Sequence, residues 1–415
     1  MRSLFRRGRA AALISVALVL LSAPRGRAED WPQFRGPGGQ GHSSERGLPV
    51  SWGEDENIAW KVPIAGRGWS SPVVLGERIW LTTAIDDGRS LRAIGLDRNT
   101  GKEVVNVEVF HKEDPGPIHN KNSHASPTPI LEGDRVYVHY GAHGTACLTT
   151  DGEVVWRQIL EYYHRHGPGG SPALVGDRLI INCDGYDEQF VVALDKHTGE
   201  VLWKKPRDGR QAYCTPLAIT VKGRTQVISP GGDAVIAYDP ATGDEIWRVR
   251  YDGYSNVPRP VFGHGLLFIC SGYESPVFYA IRPDGAGDVT ETAVAWTLRR
   301  GAPLNPSPLL VGDELYLVNN GGIVSCVDAG TGKVHWQERL RGGFSASPVY
   351  ADGRIYLLNE EGEATVIATG TPFRNFAVNQ LNGRTLASMA VSSGAFFLRT
   401  DSHLYRIDDL RRAGP

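Results

Sequence analysis

The chain has 415 residues and a formal net charge of −2, and charged residues make up 22% of it. Because its basic residues form no cluster outside the extreme N-terminus, the sequence provides no electrostatic field suited to nucleic acid. Its 50 glycines and 26 prolines are typical of a chain with many turns between short strands, and helix signals are nearly absent, which indicates an all-β fold.

The first 28 residues are predicted to be a signal peptide. Arginines precede an apolar run (residues 10–21), and the small residues Gly26 and Ala28 suit cleavage before Glu29. We therefore expect export to the periplasm or out of the cell, by the general secretory route or, given two adjacent arginines, by the twin-arginine route. The apolar run is too short for a convincing membrane span, and the absence of a cysteine near the cleavage site argues against a lipid anchor.

Residues 29–56 are predicted to form an extension, residues 57–410 an array of repeats and residues 411–415 a short tail. Each repeat contains a small residue and proline, an apolar strand, Gly-Asp, a second apolar strand, then Asp-x-x-Thr-Gly and tryptophan. Such a period indicates stacked supersecondary units. The starts are Ser71-Pro72, Ser126-Pro127, Ser171-Pro172, Thr215-Pro216, Arg259-Pro260, Ser307-Pro308, Ser347-Pro348 and a degenerate Met389-Ala390.

One unit, residues 170–204, shows how each repeat is predicted to fold. Gly176-Asp177 supplies the positive φ of a tight hairpin, and Asp184-Gly185 permits a second reversal of the chain. Thr198-Gly199 permits a third reversal, which precedes the strand that ends at Trp203. Four antiparallel strands make one propeller blade, which must stack on its neighbours to bury both faces.

The blade count follows from one extra tryptophan. Trp60 lies in a fourth-strand sequence with no strands before it, whereas the last unit, residues 388–407, has three strands and no fourth. Pairing these two segments would close the ring and remove both open edges. The sequence therefore predicts an eight-bladed β-propeller closed by its N-terminal strand.

In a propeller, the loops between the second and third strands and those between successive blades emerge on one face, which we call the loop-rich face. Seven of the twelve histidines fall between residues 111 and 166. Imidazoles can ligate a transition metal or move protons, although their spacing here matches no established metal motif and a purely structural role is the alternative. Five are predicted to share this face as a candidate metal site: His119, His124, His143, His164 and His166.

A second group of side chains is predicted to line the axial opening. Trp69 is unusual because no other repeat has tryptophan directly before its first strand, and Arg67 could line the opening beside it. Lys121, Asn122 and Arg67 also lie near the candidate histidines, where they could orient an anionic or carbonyl group. Aromatic, arginine and amide groups around a funnel suit a sugar, a peptide or a protein loop. The residues assigned to comparable positions in other blades are Tyr213, Arg259, Asn305 and Phe344.

The repeat resembles the pyrroloquinoline-quinone (PQQ) type propeller repeat of quinoprotein alcohol dehydrogenases and of the BamB-like propeller of the outer-membrane β-barrel assembly machine. The Asp30-Trp-Pro-Gln-Phe-Arg-Gly-Pro37 segment further resembles a group of exported PQQ-like propellers abundant in planctomycete-type bacteria. The dehydrogenase resemblance implies PQQ, calcium and a vicinal Cys-Cys disulfide, but none of the five cysteines here are adjacent. The BamB-like resemblance implies a lipoprotein, and this chain lacks that cysteine.

Two functions remain open from the sequence. The first is an exported, non-catalytic, monomeric scaffold that binds an envelope protein or a polymer through the loop-rich face without a cofactor. The second is an oxidoreductase that uses PQQ with calcium, or a transition metal, near the axis. The missing Cys-Cys pair favours the first, and the histidine cluster keeps the second open.

Overall fold

The fold described here is that of a computed structural model and covers residues 29–411, so the predicted signal peptide and residues 412–415 lie outside the described residues. Its strands form eight antiparallel sheets arranged as the blades of a propeller. The predicted all-β, eight-bladed architecture is confirmed.

The first strand and the first four blades follow the repeat. Strand β1 spans Ile58–Pro63. Blade 1 contains β2 (Val73–Leu75), β3 (Arg78–Ile85), β4 (Ser90–Asp97) and β5 (Glu103–His111). Blade 2 contains β6 (Ile130–Glu132), β7 (Arg135–His139), β8 (Thr145–Thr149) and β9 (Val154–Gln158). Blade 3 contains β10 (Ala173–Val175), β11 (Arg178–Asp184), β12 (Gln189–Asp195) and β13 (Val201–Pro206). Blade 4 contains β14 (Leu217–Val221), β15 (Arg224–Pro230), β16 (Ala234–Tyr238) and β17 (Glu245–Arg250).

The remaining blades keep the same order with one insertion. Blade 5 contains β18 (Val261–Gly263), β19 (Leu266–Cys270), β20 (Phe278–Ile281) and β22 (Val294–Leu298), and between the last two lie β21 (Gly287–Asp288) and helix α1 (Thr290–Ala293). Blade 6 contains β23 (Leu309–Val311), β24 (Glu314–Val318), β25 (Ile323–Asp328) and β26 (Val334–Arg339). Blade 7 contains β27 (Val349–Ala351), β28 (Arg354–Leu358), β29 (Glu363–Ala368) and β30 (Asn375–Gln380). Blade 8 contains β31 (Ala390–Ser392), β32 (Ala395–Arg399) and β33 (His403–Asp408). Short 3-10 turns occur at Pro37–Gly39, Asp86–Gly88 and Gly141–His143.

The ring closes as predicted. Strand β1 pairs antiparallel with β33, placing Trp60 opposite Arg406 and Val62 opposite Leu404, so blade 8 is completed by the N-terminal strand. Both edges that closure was expected to remove are therefore paired.

The repeated tryptophans connect neighbouring blades. The Trp156 indole N–H donates to the carbonyl of Lys196, in the Asp-x-x-Thr-Gly turn of the next blade, at 3.0 Å. The ring packs on Gly199, where an added Cβ would lie 2.6 Å from Trp156. The same bond recurs at Trp60, Trp203, Trp296 and Trp336, with acceptors Arg98, Pro240, Ala329 and Gly370. The closing strand thus uses the same interblade contact as the internal blades.

Trp247 is an exception that the insertion explains. Blade 5 carries residues 282–293 in place of the Asp-x-x-Thr-Gly turn, so Trp247 has no such turn to contact. Its indole N–H instead donates to Gln226 Oε1 of its own blade at 2.8 Å. The inserted β21 pairs in parallel with β17 and covers the outer edge of blade 4.

Hydrophobic clusters lie between adjacent blades. One combines Val73 and Ala93 of blade 1 with Val136 and Val138 of blade 2, all fully buried. The five cysteines are buried and free. Within residues 29–411, no helix is long and apolar enough to cross a membrane.

Candidate functional site

A ring of hydroxyl side chains surrounds the axis where the first strands begin. The Ser71 N–H donates to Thr128 Oγ1 at 3.0 Å, and the Thr128 N–H donates to Ser171 Oγ at 2.9 Å. Each hydroxyl therefore satisfies a main-chain donor of the preceding blade, which gives the Ser/Thr-Pro repeat a structural reason. The further bonds run from Ser171 N–H to Thr215, Arg259 N–H to Ser307, Ser307 N–H to Ser347 and Ser347 N–H to Ser388.

This ring corrects two predicted starts of the repeat. Blade 2 begins at Thr128-Pro129, because Thr128 rather than Ser126 occupies the ring. The eighth unit begins at Ser388, where Met389 replaces proline. The predicted start of blade 2 was two residues too early because Ser126-Pro127 and Thr128-Pro129 are consecutive and both fit the pattern.

The residue two places before each ring position lines an axial cavity in all eight blades. The side chain of the intervening residue points the other way, as in any extended segment. These lining residues are Trp69, Ser126, Gly169, Tyr213, Val257, Asn305, Ser345 and Leu386.

Of the eight residues predicted to form the ligand or partner face, five line this cavity: Trp69, Lys121, Asn122, Tyr213 and Asn305. Arg67 is exposed and bonds the Asn120 carbonyl at 3.4 Å. Two were misplaced by a shift in register. Arg259 occupies a ring position and is buried, whereas Phe344 is one residue away from the lining Ser345 and packs in the core between blades 6 and 7.

The N-terminal extension closes the base of the cavity. Its chain crosses the face opposite the loop-rich face, pairing at Trp31 with Val74 of blade 1 and at Ser43 with Tyr350 of blade 7. Phe34 lies between these points and lines the cavity from below. The conspicuous 30–37 segment therefore supplies a floor to the axial cavity.

Arg259 holds this floor in place. Its guanidinium donates to the Phe34 carbonyl at 2.7 Å and to the Pro216 carbonyl at 3.1 Å. Gly39 packs against it so closely that a Cβ there would lie 2.1 Å from Nη1. Burial lowers the pKa of Arg259 to about 10, and burial together with repulsion from Arg259 lowers the pKa of Arg35 to about 9.

The cavity has a volume of about 700 Å³ and two chemically different walls. Blades 3 to 5 contribute aromatic side chains, and blades 6 and 7 contribute amides and hydroxyls. The aromatic wall contains Tyr186, Tyr213, Tyr254 and Tyr273, and the polar wall contains Asn305, Asn320 and Ser345. None of the lining residues among those described is Asp or Glu.

A salt bridge joins distant blades beside this cavity. Lys121, in the loop before blade 2, contacts Glu360, in a turn of blade 7, at 2.8 Å. Glu360 also accepts from the Ser345 hydroxyl at 2.7 Å. The one lysine that lines the cavity is therefore paired with a carboxylate.

An exposed aromatic surface, which we call the tyrosine rim, borders the cavity on blades 3 to 5. It consists of Tyr163, Tyr186, Tyr254 and Tyr273, with Arg165 and Arg210 stacked beside them. Tyr163 and Tyr273 are 47% and 55% exposed. Sequence analysis did not single out this surface, although Gly-Tyr pairs after the second strands at Gly185-Tyr186 and Gly272-Tyr273 could have indicated it.

The five candidate metal-binding histidines divide into two groups. His119 and His166 line the cavity with ring centroids 5.6 Å apart, and the Tyr186 hydroxyl lies 2.9 Å from His166 Nε2. The others form a row beneath the loops, with 5.7 Å between the rings of His124 and His143 and 4.8 Å between those of His143 and His164.

These rings mainly bond the main chain. His124 Nε2 lies 3.1 Å from the Gly116 carbonyl, and His164 Nδ1 accepts from the Ala142 N–H at 3.1 Å. Burial and the neighbouring imidazoles lower the pKa of His164 to about 3 and that of His143 to about 4. His139, which sequence analysis did not select, joins the row with a pKa lowered to about 3 by burial and by His143.

The histidines and their neighbours do not form a metal-binding donor set. Across residues 29–411, no group of three or more His, Cys, Asp or Glu side chains is arranged to hold a metal ion. Calcium takes six to eight oxygen ligands that usually include carboxylates, and the described lining residues offer no carboxylate. The geometry therefore does not fit the calcium that accompanies PQQ in the dehydrogenases.

Similarity to known proteins identifies the family of this chain. A family model described as outer membrane protein assembly factor BamB matches residues 42–158, 95–323 and 285–410. Outer membrane protein assembly factor BamB of Burkholderia pseudomallei (strain K96243) is 25% identical over 65% of this chain, and the match spans 66% of that relative's length, just under two thirds.

A solved structure of a BamB protein shares the fold. BamB from Moraxella catarrhalis superposes with a TM-score of 0.61 at 14% identity, over 85% of this chain and 99% of that one. Quinohemoprotein alcohol dehydrogenase from Comamonas testosteroni gives a TM-score of 0.46 at 12% identity, over 91% of this chain and 80% of that one, which is too distant to bear on function. With the family model matched along nearly the whole propeller, the chain belongs to the family of the outer membrane protein assembly factor BamB.

Proposed function

We propose that this chain is an exported, monomeric, non-catalytic scaffold that binds an envelope protein through the tyrosine rim. The observation that carries the proposal is the rim itself. Tyrosine and arginine are enriched at the energetic centres of protein interfaces. Tyrosine buries a large area with little loss of side-chain freedom, and the arginine guanidinium stacks on aromatic rings and donates several hydrogen bonds. Here both residue types are gathered on one side of the loop-rich face.

The rim is suited to binding because its side chains are already positioned. Arg210 is fixed by Asp233 and Asp252 and lies 4.5 Å from the Tyr254 ring centroid. The Tyr254 hydroxyl donates to Glu274 at 2.7 Å. Side chains held in place before binding lose less conformational entropy when a partner docks.

Family membership supports a role in the bacterial envelope, and the N-terminal 28 residues support export. The oxidoreductase alternative has weaker support. The described lining of the cavity offers no carboxylate to calcium, and the low pKa values of His143 and His164 suit neutral, structural imidazoles better than proton transfer near pH 7.

Site-specific photo-crosslinking in the source bacterium tests the proposal. A photoreactive residue at Tyr163 or Tyr273 should yield a discrete adduct with an envelope protein. A matched residue at Val104 or Val155, which are similarly exposed on the outer strands β5 and β9, should not. The combined change Tyr163→Ala and Arg165→Ala should weaken binding to that purified partner at least tenfold.

Adducts that arise equally from Val104 and Val155 would contradict the rim as the interface. An unchanged affinity of the Tyr163→Ala, Arg165→Ala variant for the partner would also contradict the rim as the interface. Oxidation of an alcohol by the purified protein, dependent on added PQQ and Ca²⁺, would contradict the non-catalytic role.

A further inference from the structure

We propose that the axial cavity binds a neutral oligosaccharide. This goes beyond the proposed scaffold function, because the cavity is a second site whose deep residues differ from the exposed rim. A volume of about 700 Å³ lies within the ordinary range of small-molecule sites. Since the N-terminal extension forms its floor at Phe34, a ligand would enter from the loop-rich face.

The wall does not suit main-chain recognition of a peptide. Peptides that add to a sheet need unpaired backbone N–H and C=O groups along an edge. Around this axis, the N–H groups where the first strands begin are already bonded to the hydroxyl ring, as at Ser71, Thr128 and Ser347. Recognition must therefore rely on side chains.

The charge of the cavity favours an uncharged ligand. Its described lining contains no carboxylate, and its one lysine, Lys121, is neutralised by Glu360 at 2.8 Å. His166 keeps a hydrogen bond to the Tyr186 hydroxyl at 2.9 Å. An anionic ligand would find no unpaired cation, and a cationic ligand would find no unpaired acid.

The two walls match the two surfaces of a sugar. A pyranose ring presents C–H groups on its faces, which pack on aromatic rings, and hydroxyls around its edge, which bond amides. Tyr213 offers a ring on one wall. On the other, the Asn320 amide donates to Asn305 Oδ1 at 2.5 Å, which leaves the Asn305 NH₂ group as a donor near the cavity.

One buried donor beside the cavity also lacks a partner. The Trp69 indole N–H makes no hydrogen bond to any of the described residues, although the side chain is 8% exposed and lines the cavity. Leaving a buried donor unpaired is unfavourable, but the nitrogen is itself buried, so a ligand oxygen would bond it only if the indole ring turned towards the cavity.

Calorimetric titration of the purified protein with cellohexaose, xylohexaose, mannohexaose, chitohexaose and maltohexaose tests the proposal. At least one should bind, with an affinity that changes less than twofold between 50 and 500 mM NaCl, because no net charge is involved. Binding should also change the fluorescence of the protein, and Trp69→Phe should reduce that change.

Variants separate this site from the rim. Tyr213→Ala and Asn305→Ala should each weaken sugar binding at least tenfold, whereas Tyr163→Ala, outside the cavity lining, should change it less than twofold. If Tyr213→Ala fails to fold, Tyr213→Leu keeps a side chain of similar bulk without the aromatic ring and should weaken binding at least threefold. Conversely, Asn305→Ala should leave binding to the crosslinked protein partner intact.

Three results would overturn the proposal: no binding of any of the five sugars at millimolar concentration, binding that survives both Tyr213→Ala and Asn305→Ala, or saturation of the cavity by neutral peptides without sugar binding. None of these would affect the partner surface, which is tested by Tyr163 and Arg165.

Discussion

The interblade contact of the repeated tryptophans can be tested where the ring closes. In Trp60→Phe, the ring loses the indole N–H that donates to the Arg98 carbonyl at 3.1 Å. That carbonyl keeps a second donor, since Arg406 Nη1 lies 3.2 Å away. The change therefore removes one net hydrogen bond without leaving its acceptor unpaired, which costs about 1 kcal/mol.

Trp296→Phe is the matched control inside the ring. The Ala329 carbonyl accepts the Trp296 indole at 3.0 Å, and no second donor to it occurs among the described contacts. Leaving such an acceptor unpaired adds a desolvation penalty, so we expect a total cost of about 2 kcal/mol. Trp60→Phe should therefore cost less stability than Trp296→Phe.

Native-state hydrogen exchange measures the free energy of local opening, which suits a propeller whose blades need not unfold together. Amides of β1 should lose protection in Trp60→Phe, and amides of β22 should lose more in Trp296→Phe. A larger loss at β1 than at β22, or no loss at either, would refute the contact as the origin of the tryptophan repeat.

Three further predictions concern buried titratable side chains. Because burial lowers the pKa of His139, His143 and His164 to about 3, 4 and 3, the unfolded chain binds more protons than the folded chain below pH 6.5. The free energy of unfolding is therefore unaffected by these histidines above pH 6.5. It decreases as pH falls from 6.5 towards 4, by up to about 1.4 kcal/mol per pH unit for each histidine. Chemical unfolding between pH 7 and 4.5 should show this slope, and His164→Gln should reduce it. Arg259→Met should release the N-terminal extension, so limited proteolysis should cut residues 29–47 at least tenfold faster while the blades stay intact. Asp184→Ala should cost about 3–5 kcal/mol in urea unfolding, because it leaves Arg207 buried without its carboxylate partner, whereas Asp252→Ala at an exposed pair should cost less than about 1 kcal/mol.

The fold was predictable because the repeat encodes each blade locally. Gly176-Asp177 and Thr198-Gly199 fix turns within a few residues, and the isolated strand at Trp60 could pair only with a unit that lacked its fourth strand. The candidate site was only partly predictable. Trp69, Tyr213 and Asn305 line the cavity as expected, while Arg259 and Phe344 were assigned with a shift of one or two residues. In an extended segment, a shift of one residue moves a side chain such as Phe344 from the axis into the core. The shift of two residues at Arg259 instead moves the side chain along the axis to the floor, where it bonds the Phe34 carbonyl.

The amino-acid sequence by itself determined the blade count, the closing strand and the interblade tryptophans, because these depend on turns and periodicities that act over short distances. Only the tertiary structure decided which side chains meet at the axis. The tyrosine rim joins loops of consecutive blades, and the floor at Phe34 and the Lys121–Glu360 bridge join segments that are distant in the chain. Their proximity arises when the ring closes, which no local pattern specifies.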